Sequence, residues 1–208
     1  MAITVDIQGQ PPIKIAVIIG SVREGRSGGA IADWFIGRAA QRPDINLDVI
    51  DLLKISLPLT LPDKRRATPE VARLLQNVSP RLAAADGFVV VTPEYNHSFP
   101  ASLKNLIDWH NEEWHAKPIA FVSYGGRSGG LRAVEQLRAV FAELHAATIR
   151  ATVSFHKPWD SFDADGSPVD PTLCSGAVKS MLDQLLWWAD ALRYARAIRP
   201  YSTGPQTD

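Results

Sequence analysis

Cysteine is nearly absent from this chain. Cys174 stands alone among 208 residues, which excludes an internal disulfide and any cysteine-built zinc site. Net charge is absent too, because 22 basic residues face 22 acidic ones; there is no basic footprint for nucleic acid and no polyanionic tail. No stretch approaches the roughly 20 apolar residues that a membrane helix needs. The opening MAITVDIQGQPP has neither a basic start nor an apolar run, so it is expected to be a tail rather than a signal peptide. His97, His110, His115, His145 and His156 show no ligand spacing with carboxylates or cysteines, which argues against a metal site. A nucleophile elbow, an internal repeat and a low-complexity tract are all missing. These absences predict one well-cored domain over residues 13–198, with tails at 1–12 and 199–208, in a reducing cytoplasm.

What is present is a regular alternation of strand and helix signals. Ile13 to Ile19 is an apolar run broken only by Lys14 and followed at once by Gly20, as in a buried parallel strand that empties into a glycine-rich loop. Ile31, Trp34, Phe35 and Ala39 then recur at helical spacing. Leu47 and Val49, among Asp48 and Asp51, mark a weaker second strand, and residues 52–66, with Lys64, Arg65 and Arg66, a long surface loop. Thr68-Pro69-Glu70 opens a helix with a hydroxyl cap, a proline and an acid in the first turn; it runs to about Ala84. Phe88 to Thr92, Pro118 to Tyr124 and Thr148 to Phe155 complete the strands, separated by helical patterns after Pro100 and Leu131. A proline- and aspartate-rich loop at 156–171 precedes a last helix from about Thr172. Such alternation predicts an α/β three-layer sandwich, a five-stranded parallel sheet of order 2-1-3-4-5 with helices on both faces. In that order ligands sit at the crevice between strands 1 and 3.

Three loops carry the unusual chemistry. The first is Gly20-Ser21-Val22-Arg23-Glu24-Gly25-Arg26-Ser27-Gly28-Gly29. Its small residues let backbone N–H groups approach a phosphate, and the helix beginning near Ser27 points its positive end there. Ser21 and Ser27 offer hydroxyls, Arg23 and Arg26 charged forks; an ordinary turn with solvated arginines is the alternative. The ending of a P-loop and the glycine spacing of a dinucleotide fingerprint are both missing, which favours a mononucleotide. The second loop, Pro93-Glu94-Tyr95-Asn96-His97-Ser98-Phe99-Pro100, offers backbone polar groups and the flat side chains of Tyr95 and His97 between two rigid prolines. Glu94 is expected to bond neighbouring N–H groups rather than to act as a base. The third loop follows Ser123, with Gly125, Gly126, Gly129 and Gly130 giving a backbone free for close approach.

These segments resemble those of the NADPH-dependent FMN reductases, the flavodoxin-like quinone and azo-dye reductases. Gly20, Ser21 and Arg23 match the family's opening Gly-Ser-x-Arg. Many members carry a serine and an asparagine where this chain has Arg26 and Gly28, and Ser27 then takes the serine's role with a slip of one residue. The string from Pro93 to Pro100, with Leu103-Lys104-Asn105 and Asp108-Trp109, matches the family's flavin-ring loop; Ser123, Gly125 and Gly126 match its serine and double glycine. The resemblance covers roughly residues 13–150 and leaves the 156–171 loop without a clear counterpart.

The resemblance implies a flavodoxin-like fold, bound FMN and NADPH or NADH as co-substrate. Its FMN-binding residues would be Ser21, Arg23, Arg26, Ser27, Pro93, Glu94, Tyr95, Asn96, His97, Ser98, Ser123, Gly125 and Gly126. A quinone, azo compound, metal oxyanion or free flavin would receive the electrons, with no side chain acting as acid or base. A flavodoxin-type electron carrier is the rival, although carriers tend to be strongly acidic and this chain is neutral. The family also implies a homodimer or homotetramer. Leu103, Leu106, Ile107 and His110 share one side of the helix after Pro100, and Trp109 and Trp114 exceed what one core face needs, so residues 100–115 are expected to meet a neighbouring chain.

Overall fold

The structure is a computed structural model that describes residues 11–61, 68–163 and 166–202. Most of the expected tails, residues 1–10 and 203–208, lie outside the described residues, as do Lys64, Arg65 and Arg66. Five strands form one sheet: β1 (Ile13–Ile19), β2 (Ile45–Asp51), β3 (Gly87–Pro93), β4 (Pro118–Gly125) and β5 (Ala147–His156). Their order is β2-β1-β3-β4-β5, and every pairing is parallel. The helices are α1 (Gly28–Ala39), α2 (Pro69–Ala84), α3 (Ala101–Asp108), α4 (Leu131–Glu143), the short α5 (Pro158–Ser161) and the long α6 (Pro171–Ile198). This is the predicted flavodoxin-like topology.

The sheet is apolar on both faces because helices cover both. Ile15, Val17, Ile19, Val89, Val91 and Val122 meet Ile31 and Phe35 of α1 and Val178, Met181 and Leu185 of α6. The alternate residues Ala16, Ile18, Phe88, Val90 and Phe121 meet Val78 and Leu82 of α2, Leu103 and Leu106 of α3, and Leu137 and Phe141 of α4. The period of 2 along each strand thus sorts one apolar run into two cores. β2 lies at a sheet edge and keeps most of its residues partly exposed, which is why its sequence pattern is weak.

Local signals fix the helix ends. Thr68 Oγ1 accepts from the Val71 N–H at 3.3 Å, and Asp170 caps α6 by accepting from Leu173 N–H at 3.0 Å. At the far end of α2, the buried Lys117 Nζ donates to the carbonyls of Leu82 (2.9 Å) and Ala83 (2.8 Å). Burial pushes this lysine down to about 8. Lys104 and Asp108, four residues apart on α3, form an ion pair at 2.6 Å.

Two expectations need correction. Trp109 and Trp114 are not surplus: they are 1% and 0% exposed within the single chain. Trp109 Nε1 donates to Pro58 O at 2.8 Å, and the Trp114 ring lies 4.8 Å from that of Phe88. The loop after β2 folds down onto α3 and covers Trp109, while Phe88 and Phe141 enclose Trp114, relations that sequence spacing could not reveal. Residues 156–171, read as plain loop, contain α5 and an isolated bridge between Phe162 and Pro168. Among the described residues no helix is long and apolar enough to cross a membrane, and no group of three or more His, Cys, Asp or Glu could hold a metal ion.

Candidate functional site

The loops after β1, β3 and β4 emerge side by side, since these strands are neighbours in the sheet. They enclose a cleft of about 250 Å³ lined by residues that include Arg23, Arg26, Ser27, Pro93, Glu94, Tyr95, Tyr124, Gly125, Gly126, Pro158 and Trp159. A larger, mostly apolar cavity of about 400 Å³ lies nearby, between α3 and the loop after β2, with Leu53, Leu57 and Leu59 in its wall. It gathers none of the charged groups of the three loops.

The first loop is braced from below. Gly20 N–H donates to Val91 O at 2.9 Å, and Ser102 Oγ at the start of α3 donates to Gly20 O at 2.6 Å. A Cβ at Gly20 would meet Val91 O at 3.3 Å, so the turn leaves little room for a side chain. Ser21 is fully buried, and its Oγ lies 2.7 Å from the Tyr95 hydroxyl, which ties the first loop to the second. Arg26, expected as a fork for phosphate, is engaged within the protein. Its guanidinium holds the Asp51 carboxylate through both terminal nitrogens, at 2.7 and 2.6 Å, and also donates to Ser21 O. The paired hydrogen bonds raise the Arg26 pKa and hold Asp51 below the usual carboxylate range. Arg23 is exposed, and its guanidinium has no partner among the described residues.

The N-terminus of α1 opens into this loop without a cap. Ser27, the residue before it, makes no side-chain capping bond, and no acidic residue occupies the first turn. Helix N–H groups there remain available to an anion. Tyr124 stands against the same turn: a Cβ at Gly28 would lie 2.4 Å from its Oη. That hydroxyl is buried and makes no hydrogen bond of regular geometry among the described residues, although the Ser21 hydroxyl, already bonded to Tyr95, lies close enough to act on it. Burial pushes its pKa up, so it is a neutral donor. A buried, unpaired hydroxyl is costly and calls for a ligand or a water.

The second loop is a tight hairpin. Tyr95 and Ser98 exchange both backbone hydrogen bonds, at 2.8 and 3.0 Å, and the two central residues, Asn96 and His97, have φ of 49° and 72°. Positive φ at both central positions is what a type I′ turn demands. Asn96 and His97 thus form the exposed tip, and α4 clamps it: Gln136 Nε2 donates to His97 O at 2.8 Å and Ser98 Oγ to Gln136 Oε1 at 2.5 Å. Glu94 is occupied as expected. Its carboxylate accepts from Ser128 Oγ (2.5 Å), Arg132 N–H (3.2 Å) and the Arg132 guanidinium (3.1 Å). Burial pushes its pKa up, but these bonds outweigh burial and hold it below the ordinary value.

In the third loop Ser123 turns inward. Its Oγ donates to Gly129 O at 2.8 Å, and Ser154 Oγ donates to the same carbonyl at 2.7 Å. Gly130 has φ of 86°, and a Cβ there would lie 2.7 Å from Tyr124 N, so only glycine fits this turn. Gly125 and Gly126 are left on the cleft side. Sequence reasoning missed Tyr124, which stands between the matched Ser123 and Gly125. It also missed Trp159, which lies in the loop without a counterpart, and Asp51, noted only as a strand acid.

The arrangement suits a phosphorylated, flat ligand. One end of the cleft offers an unpaired arginine, an uncapped helix and an orphaned hydroxyl; the other offers glycine backbone and aromatic faces. FMN therefore fits the residues present. A family model described as NADPH-dependent FMN reductase matches residues 13–160. An NAD(P)H-dependent FMN reductase of Schizosaccharomyces pombe is 39% identical over 125 residues, 56% of this chain and 60% of that protein. A 2-hydroxy-1,4-benzoquinone reductase of a Burkholderia species is 34% identical over 164 residues, 76% of this chain and 86% of that protein. Among solved structures, the flavoenzyme NAD(P)H:(acceptor) oxidoreductase FerB of Paracoccus denitrificans superposes with a TM-score of 0.68 at 23% identity, covering 84% of this chain and 98% of its own.

Proposed function

The chain belongs to the NADPH-dependent FMN reductase family, and from that premise we propose how its three loops divide the work. It is an oxidoreductase that uses FMN and NAD(P)H. FMN held by these residues would supply the redox chemistry, accepting hydride equivalents from a reduced nicotinamide for transfer onward. Arg23, Ser27, the first-turn N–H groups of α1 and the Tyr124 hydroxyl hold the phosphate. Arg26 holds the first loop in shape through Asp51. Ser21 and Tyr95 link the phosphate loop to the ring loop. Backbone from Pro93 to Ser98 and at Gly125 and Gly126 lines the ring, and the Asn96 and His97 N–H groups, which the hairpin's own pairing does not use, are the loop's donors for negative charge there. Ser123 keeps the third loop in place. No side chain is assigned proton transfer, because Glu94 is ionised and tied to its neighbours.

The observation that carries this reading is the buried, unpaired Tyr124 hydroxyl against the uncapped start of α1. The acceptor is a quinone, azo compound, metal oxyanion or free flavin, and a quinone is favoured by the Burkholderia relative's activity. A pure electron carrier is disfavoured by the balance of 22 basic and 22 acidic residues. Stopped-flow mixing of the FMN-loaded protein with NADPH tests the reading. Rapid bleaching of the flavin is expected; a protein that binds no FMN, or binds it without bleaching, overturns it.

The cleft volume of about 250 Å³ is below the roughly 300–1,000 Å³ of sites that enclose a ligand. The outer side of a bound ring is therefore open to a neighbouring chain, and the assembly we propose is a homodimer or homotetramer that walls this side. Trp187 and Trp188, exposed on α6 with rings 5.3 Å apart, offer further contact surface. A light-scattering mass near the 22.8 kDa of one chain, with full activity, would reject the assembly. The cytoplasm is the proposed location, since reduced nicotinamide is the co-substrate.

A further inference from the structure

Trp159 is large, apolar and 65% exposed, and its ring has no aromatic partner among the described residues. It is nevertheless held in a defined place. Lys157 has φ of 46°, and its N–H donates to the carbonyls of Gly125 (2.9 Å) and Gly126 (3.1 Å). This seats α5 directly on the third loop. Behind it, Ser161 Oγ donates to His156 O at 2.6 Å, and Phe162 packs against Phe155 and Trp34. The indole thus stands at the rim of the cleft, 3.7 Å from where a Cβ on Gly126 would lie.

Two cations accompany it. Arg127 and Lys157 are exposed, and neither side chain has an ion-pair partner among the described residues. Their backbones are held close together: His156 Nδ1 bonds Arg127 O at 3.0 Å, and Lys157 N–H bonds the carbonyls of Gly125 and Gly126. Asp160 lies on the same turn as the indole and tempers, without cancelling, this charge. Of the three arginines in the cleft loops, Arg26 is already bound to Asp51 and Arg23 lies at the phosphate end. Arg127 directly follows Gly126, and Lys157 directly precedes Pro158, both of which line the cleft. A flat aromatic face beside unpaired cations is the chemistry that recognises a nucleotide carrying a phosphate: the ring stacks and the cations meet the anion.

We propose that Trp159, Arg127 and Lys157 form the subsite for the adenosine 2′-phosphate end of NADPH, and so set the preference for NADPH over NADH. The proposal rests on the reading that the cleft holds FMN for reduction by a nicotinamide. The indole faces the adenine, and Arg127 and Lys157 bind the 2′-phosphate that NADH lacks. All three are positioning residues, since none reaches the reacting atoms.

The test uses the oxidised, FMN-loaded protein. Titration with adenosine 2′,5′-bisphosphate should quench indole emission, and adenosine 5′-monophosphate should bind about tenfold more weakly, as expected for loss of one charge-assisted phosphate contact. Combined Arg127→Gln and Lys157→Gln substitution should abolish that difference, raise the KM for NADPH about tenfold and leave kcat and the KM for NADH unchanged. Trp159→Ala should weaken both nucleotides about three- to tenfold, and Trp159→Phe should restore most of the loss. Flavin content, read from visible absorption, should be unaltered in the Arg127 and Lys157 variant. Equal losses for NADPH and NADH in the double variant, or no loss in either, would overturn the subsite. A wild-type protein that holds FMN but is bleached by neither nicotinamide would overturn the functional reading instead.

Discussion

Replacing Glu94 by glutamine keeps the side chain's shape and removes its charge at the junction of the second and third loops. The carboxylate is 8% exposed and accepts from Ser128 Oγ, Arg132 N–H and the Arg132 guanidinium. Arg132 is half exposed, at 50%, so its ion pair contributes only about 0–1 kcal/mol. The other two bonds end on a buried charge, where loss of such an acceptor costs about 1.5–3 kcal/mol. Glutamine keeps one accepting oxygen but turns an NH₂ toward donors, so the expected net loss is about 2 kcal/mol, or roughly 4–8 °C in melting temperature for a domain of this size. Because the folded-state pKa of Glu94 lies below its ordinary 4.5, its contribution is complete above that value and disappears as pH falls through the folded one. Urea unfolding of both proteins should therefore give a constant difference from about pH 8 to pH 5 and a shrinking one below about pH 4. A difference under about 0.5 kcal/mol at neutral pH, or one that persists unchanged into acid, would show that the carboxylate does not hold the loops together.

Other residues give sharper single readings. Arg23→Ala should weaken FMN retention about tenfold, the low end for an exposed charge-assisted contact; unchanged affinity in a fluorescence titration would make Arg23 a surface residue. Tyr124→Phe should stabilise the FMN-free protein by about 1 kcal/mol, by removing a buried unpaired hydroxyl, while weakening FMN binding; thermal melts with and without FMN separate the two effects, and a less stable FMN-free variant would contradict the orphaned state. Lys117 is held down at about 8 against an ordinary 10.5, so the unfolded chain binds more protons between those values and stability should rise with pH across that window. Lys117→Met should flatten that rise, and an unaltered slope in urea midpoints would show that another group titrates.

The strands were legible because burial on both faces leaves continuous apolar runs, and Thr68-Pro69-Glu70 announced α2 through a cap that the structure contains. The three loops could be placed because glycines and prolines in unlike combinations leave few structural readings. What escaped were relations between distant positions. Arg26 looked like a phosphate fork, since nothing local reveals that Asp51, 25 residues on, takes both its nitrogens. Trp109 and Trp114 looked surplus, since the cover comes from distant positions: the loop after β2 for Trp109, and Phe88 and Phe141 for Trp114. Tyr124 hid inside a matching Ser-x-Gly-Gly, where an unspecified residue invites no scrutiny. Trp159 became meaningful only when Lys157 N–H was seen to seat α5 on Gly125 and Gly126.

The placing of the three loops on β1, β3 and β4 has a consequence for how the molecule breathes. These are the interior strands, with a hydrogen-bonded neighbour on each side, whereas β2 and β5 are the two edges. Amide hydrogens in the centre of β3, whose residues are all buried, should exchange with solvent only when the whole domain opens, while those of β2 should exchange through smaller, edge-first openings. The ligand platform therefore stands on the part of the molecule that opens last.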